Sequence, residues 1–182
     1  MTWHGDNQPP ADGSTAPAAP STRAALAAGL DPALAEAGDL LLLDQQICFS
    51  LNAASRAFGT VYRTALKDLG LTYPQYLVML VLWEDGEIPV KQLGERLRLD
   101  SGTLSPLLKR LEAAGLVARE RSPQDERSVL VSPTPAGRAL REPARAVPRH
   151  IMAAAALPLE DVRTLRELLD RVTANLDAAE RA

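Results

Sequence analysis

Between Val90 and Ser132 the chain carries two short amphipathic helical patterns three residues apart, followed by two β-type runs joined by a polar loop. Val90, Leu93 and Leu97 recur at helical spacing on the first pattern. Arg98-Leu99-Asp100 makes the turn. Leu104, Leu107, Leu108 and Leu111 line the second helix, which Gly115 ends. Pro106 has no amide to donate, so this helix is expected to begin nearer Thr103 than Ser101, with Thr103 as its N-cap. Val117–Arg121 and Ser128–Ser132 read as strands, with Pro123 in the loop and Asp125-Glu126-Arg127 at the tip. Helix, tight turn, helix and hairpin in this order make a winged helix-turn-helix, with the hairpin as a wing at about residues 117–132.

The flanks are also helical in pattern. Apolar residues at 40, 43, 47, 51, 54, 58, 61 and 65 alternate steps of three and four, predicting one helix of about seven turns that starts at Leu40 and ends before Gly70. A second helix is predicted over Tyr73–Trp83, with Pro74 in its first turn and Leu77, Leu80 and Val81 as its apolar face. Thr134-Pro135 opens another, running to about Arg149 and bent or shortened by Pro143 and Pro148. The last, Leu159–Ala179, bears a stripe of Val162, Leu165, Leu169, Val172 and Leu176. That stripe and the long first helix suit packing against a second copy, since readers of this type use two-fold symmetry to span two half-sites. The alternative is packing within one domain only. The expected fold is therefore mainly α with a small β-hairpin wing, over residues 40–182. Residues 1–39 form an extension. Met1–Thr22 is rich in Pro, Ala, Gly, Ser and Thr and reads as disordered, and a short helix over Ala24–Ala37 is interrupted by Gly29 and Pro32.

Bulk composition narrows the function. The 182 residues contain no stretch near the roughly 20 apolar residues needed to span a bilayer, and the N-terminus lacks the pattern of a secretory signal. One cysteine permits no internal disulfide, which fits a reducing cytoplasm. The histidines, His4 and His150, are isolated, so no metal-ligand cluster is expected and no cofactor is implied. Net charge is −3, unusual for a DNA binder, but residues 1–40 hold five acids and one base, whereas Lys91–Arg127 holds eight bases and six acids.

A recognition helix offers its N-terminal residues to base edges in the major groove. Here these are Ser101, Thr103 and Ser105, with Lys109 and Arg110 a turn later for phosphates or a guanine edge. The wing would place Arg127 in a narrow minor groove, with Asp125 holding its guanidinium by a charge-assisted bond. Arg119 and Arg121, on the strand entering the wing, suit phosphate contact. A winged helix that binds protein instead remains the other reading of these residues.

Cys48, the lone cysteine, follows the apolar position Ile47 and sits at the border of the first stripe, with Asp44 and Asn52 one turn away. On pattern alone it is either a small buried hydrophobe or a reactive thiol. Its own helix supplies no positive neighbour. Tyr62 and Tyr73 are the candidate polar partners. Tyr62 lies 14 residues on, about 21 Å along a straight helix, so it meets a cysteine only across two crossing chains. A thiol peroxidase is a third possibility, disfavoured because no arginine adjoins Cys48 in sequence and no second cysteine exists.

Gln46-Ile47-Cys48-Phe49, Leu71-Thr72-Tyr73-Pro74-Gln75-Tyr76-Leu77, Leu82-Trp83-Glu84, Leu99-Asp100-Ser101-Gly102-Thr103-Leu104 and Asp125-Glu126-Arg127-Ser128 together resemble the organic hydroperoxide resistance repressor (OhrR) branch of the MarR family. The likeness runs from about Leu40 to Asp177. It implies a homodimeric winged-helix repressor that binds a double-stranded DNA operator, uses the thiol at Cys48 as a sensor of organic hydroperoxides, and leaves its operator on oxidation. It also implies thiol-interacting roles for Tyr62 and Tyr73. Some members carry a further tyrosine four residues after the cysteine, where this chain has Asn52. The subgroup with a resolving cysteine places it near Met152-Ala153, where this chain has none. The resemblance is thus to the one-cysteine type, in which a low-molecular-weight thiol or overoxidation completes the switch. A MarR-type repressor released by a small aromatic ligand, with Cys48 passive, is the alternative.

Overall fold

The structure is a computed structural model that describes residues 39–125 and 127–181. The expected disordered tail, the short helix over Ala24–Ala37 and His4 lie outside the described residues, as does Glu126 at the wing tip. A 3-10 turn at Leu43–Gln45 precedes α1 (Ile47–Ala65), and a second at Lys67–Leu69 leads to α2 (Tyr73–Asp85). Then come β1 (Ile88–Pro89), α3 (Val90–Leu97), α4 (Ser101–Ala113), β2 (Val117–Arg121) and β3 (Val129–Pro133). The chain closes with α5 (Pro135–Ala139), α6 (Arg141–Ala144), α7 (Ala146–Ala155) and α8 (Leu159–Glu180). The helix-turn-helix and its wing are present as the residue pattern predicts. One element was not foreseen: β1 adds to the hairpin, giving an antiparallel sheet of order β1-β3-β2, with Ile88 opposite Val131 and Arg119 opposite Val131 on the other side.

The first helix is shorter than its stripe. The pattern continues through Leu40 and Leu43, but Gln46 has extended backbone (φ −84°, ψ 103°) and α1 starts only at Ile47. The Gln46 side-chain amide donates back to the Leu40 carbonyl, which folds the leucine segment into a turn instead of a helix. Apolar spacing alone does not see such a local competitor for the backbone. Cys48 therefore occupies the first turn of α1, and Asp44 is not its helical neighbour.

The core lies beneath α2. Val78, Met79 and Leu82 are fully buried there, against Leu93 of α3, Leu104, Leu108 and Leu111 of α4, and Val131 of β3. This corrects the expected face of α2. Of the three residues expected there Val81 is buried, but Leu80 is 39% exposed and Leu77 half-buried, and Tyr76 is buried in addition. The helix is apolar on nearly every side, so its neighbours, not its own period, decide which residues are covered. At its start the Gln75 side-chain oxygen accepts from the Thr72 amide (2.8 Å) and hydroxyl (3.0 Å).

Pro143 and Pro148 divide the segment after the wing into α5, α6 and α7, as their missing amides require. Thr134 caps α5, its hydroxyl accepting from the Gly137 amide (3.0 Å) and donating to the Gly115 carbonyl (2.6 Å). Trp83 Nε1 donates to the Gly137 carbonyl (2.8 Å). Gly115, at φ 71°, is the left-handed residue that ends α4. In contrast with this core, α1 and α8 contain no buried residue, and Ile47, at 66% exposure, Phe49, Leu51 and Phe58 are open.

Gly137 marks the tightest approach in this packing. A Cβ there would collide with the Leu116 carbonyl oxygen, a backbone atom that cannot swing aside. Gly137→Ala is expected to lower stability by about 1–3 kcal/mol, the usual cost of overpacking. The check is a urea titration: a lower midpoint at constant m-value is expected, and an unchanged midpoint would contradict the close packing.

Candidate nucleic-acid interface and thiol site

The recognition helix starts earlier than Pro106 suggested. Asp100, not Thr103, is the N-cap. Its Oδ1 accepts from the Thr103 amide (2.8 Å) and its Oδ2 from the Thr103 hydroxyl (3.1 Å), so α4 begins at Ser101. Those bonds, the amide foremost, hold the Asp100 carboxyl below the usual carboxylate range. Pro106 is tolerated inside the helix. It forgoes only the bond to the Gly102 carbonyl, one turn from the free N-terminal end.

Ser101, Thr103, Ser105, Lys109 and Arg110 are all exposed along α4. Arg121 is exposed at the end of β2, and Arg127 and Asp125 are exposed at the wing tip. Two side chains behave differently from expectation. Asp125 Oδ1 accepts from the backbone amide of Arg127 (3.0 Å) and shapes the turn, so it does not hold the Arg127 guanidinium. Arg119 is directed inward, with Nε 3.0 Å and Nη2 2.5 Å from Glu112 Oε2, which keeps the Glu112 carboxyl below the usual range. Arg98, in the turn between α3 and α4, has a left-handed backbone (φ 53°), and its guanidinium reaches Asp177 on α8 at 2.8 Å. Arg96 binds both Glu84 (3.0 Å) and Asp85 at the end of α2.

At the other end of the molecule Cys48 is exposed, with Sγ 3.9 Å from Gln46 Oε1. The half-buried border position expected of it is not seen in the single chain. Tyr62 and Tyr73 do come together, with ring centroids 4.4 Å apart. Residue patterns did not single out Tyr76, which joins them at 6.2 Å from Tyr62 and continues to Trp83 at 6.2 Å. Its signal was present in the three-residue step from Tyr73, which puts both on one face of α2. Burial raises the Tyr62 hydroxyl above the usual phenol range, and Tyr73 and Tyr76 add to this. Tyr76 is raised likewise, first by burial and then by Tyr73. Because α1 is continuous from Ile47 to Ala65, Cys48 and Tyr62 stay about 21 Å apart within one chain.

The fold has counterparts among known proteins. The MarR family profile matches residues 71–129, from just before α2 to the start of β3 in the wing. The organic hydroperoxide resistance transcriptional regulator of Bacillus subtilis is 47% identical over 131 residues, which cover 72% of this chain and 89% of that protein. Among solved structures, reduced AbfR bound to DNA superposes with a TM-score of 0.62 at 39% identity, over 74% of this chain and 93% of that one. Overoxidised AbfR bound to DNA gives 0.61 at 39% identity, over 72% and 93%. AbfR is a protein of Staphylococcus epidermidis. These relatives are regulators, not enzymes. With a helix-turn-helix held on α2, a three-stranded wing and these levels of identity, the chain belongs to the MarR family of transcriptional regulators.

Proposed function

We propose that this chain is a cytoplasmic, DNA-binding repressor that works as a homodimer, detects organic hydroperoxides through Cys48 and then leaves its operator. The observation that carries the reading is the split thiol site. Cys48 is exposed at one end of α1, while Tyr62 and Tyr73 are already assembled at the other. Antiparallel crossing of two α1 helices would bring each thiol to the phenols of its partner and would cover the open apolar residues of α1. AbfR, known reduced and overoxidised on DNA and also in a disulfide form, supports thiol oxidation and DNA binding on one scaffold of this kind.

The chemistry balances with one cysteine. The Cys48 thiolate attacks the distal peroxide oxygen, the O–O bond breaks, and an alcohol leaves. Sulfur loses two electrons and becomes a sulfenic acid. Since no second cysteine exists, a low-molecular-weight thiol then condenses with it, giving a mixed disulfide and water. The added group sits at the first turn of α1, against the partner's phenols. Operator release requires the two recognition helices to lose their separation of about 34 Å, and a differential of a few kcal/mol shifts occupancy strongly. On the operator, Ser101, Thr103 and Ser105 face base edges, Lys109, Arg110 and Arg121 face phosphates, and Arg127 enters the minor groove.

A second reading has one observation in its favour. Ala54, Phe58, Val61, Ala155, Leu157 and Leu165 line an open apolar recess of about 350 Å³ between α1, α7 and α8. An aromatic inducer could occupy it with Cys48 passive. A gel shift on the gene's own upstream DNA separates the two. Wild type is expected to release on cumene hydroperoxide with a small thiol present, and Cys48→Ser to stay bound. Release of both proteins would sink the thiol reading.

Arg127→Ala is expected to weaken operator binding about tenfold or more, within the 1–3 kcal/mol of a lost groove contact. The loss should shrink when the A·T pairs under the wing are replaced by G·C. Fluorescence anisotropy on the two duplexes measures both, and an equal loss on each would remove minor-groove readout by Arg127.

A further inference from the structure

The recognition helix and the wing approach DNA from two directions, so the angle between them matters as much as their residues. Beside the apolar packing of Leu108 and Leu111 with Val117 and Val131, one side-chain ion pair among the described residues joins them. Glu112, in the last turn of α4, receives Nε of Arg119 at 3.0 Å and Nη2 at 2.5 Å on a single carboxylate oxygen. The chain between them passes through Gly115 with φ 71°, where the Thr134 hydroxyl holds the backbone but no side chain of the turn itself fixes the direction of the strand. Arg119 itself is locked in register opposite Val131 of β3. Both side chains are about two-thirds covered, which makes the pair stronger than an open surface bridge. Arg121, two residues along the same strand, has no acidic partner among the described residues.

We propose that Glu112 and Arg119 are positioning residues, a buttress that sets the angle between the recognition helix and the wing so that both grooves are engaged together. This rests on the DNA-binding reading above. The pair explains an otherwise unfavourable choice. A carboxylate at the end of a helix that lies on DNA repels phosphates, and its removal by electrostatics alone would tighten binding. A buttress gives the opposite sign, because a wing free to swing loses part of its contacts. It also moves Arg119 out of the phosphate-contacting set, to which its position on the strand had assigned it.

Glu112→Gln, Arg119→Gln and the swapped pair Glu112→Arg with Arg119→Glu provide the test. Operator affinity is measured across a salt series, and amide exchange is followed at residues 122–128 without DNA. A buttress predicts about tenfold weaker binding for each single variant, faster wing exchange in each, and substantial recovery of both in the swapped pair. It also predicts that Arg119→Gln leaves the slope of log K against log salt at the wild-type value. A phosphate contact predicts instead a slope smaller by about 0.9 per lost contact, hence about 2 for a dimer. Tighter binding by Glu112→Gln, or that smaller slope for Arg119→Gln, overturns the proposal. Unchanged wing exchange overturns it even if wild type binds no operator, an outcome that would separately sink the DNA-binding reading.

Discussion

Thr134 holds the reading head together. Its hydroxyl caps α5 and also donates to the Gly115 carbonyl, while its amide donates to the Leu116 carbonyl at 3.0 Å. One residue thus ties the exit of the recognition helix, the end of the wing and the start of the segment leading to α8. Trp83 closes the same knot from α2 through the Gly137 carbonyl. Helix ends leave backbone groups without intrahelical partners, and here the Thr134 hydroxyl supplies one to the Gly137 amide at the start of α5. The Gly137 position follows from this, because only a residue without a Cβ lets α5 come that close to Leu116.

Much of this architecture was legible in the residues. The helix-turn-helix, the wing, the Thr134 cap and the breaks at Pro143 and Pro148 all follow from spacing and from proline chemistry. What failed has two causes: a partner distant in sequence, or a local competitor that periodicity ignores. Leu40 and Leu43 fit the stripe of α1, yet Gln46 turns the chain before the helix starts. Pro106 argued for a late start to α4, and Asp100 outweighed it with two bonds from Thr103. Leu80 looked like core and lies open because α2 is covered from other directions. The thiol site was half visible: Tyr62 and Tyr73 could be named, but Tyr76 and the Gln46 contact to Cys48 needed coordinates.

The charge pattern makes sense once the arginines are sorted by what they touch. A net charge of −3 gives the chain little general attraction for DNA. Arg96, Arg98, Arg119 and Arg138 are engaged with the protein itself, to carboxylates or, for Arg138, to the Pro133 carbonyl. They brace α3 on α2, the turn on α8, and the wing on α4. Lys109, Arg110, Arg121 and Arg127 stay exposed on the surface that the fold turns outward. A modest count of exposed bases is thereby concentrated on α4 and the wing.

The absence of any buried residue on α1 bears on how the regulator comes into being. A nineteen-residue helix with Ile47, Phe49, Leu51 and Phe58 open packs on its own core chiefly through Val61, Tyr62 and Ala65 at its far end. In the proposed dimer its stability is supplied by the second copy, so folding of that arm and encounter of two chains are one second-order event. The fraction of chains with that arm covered then rises with protomer concentration, and a single chain leaves it open to water.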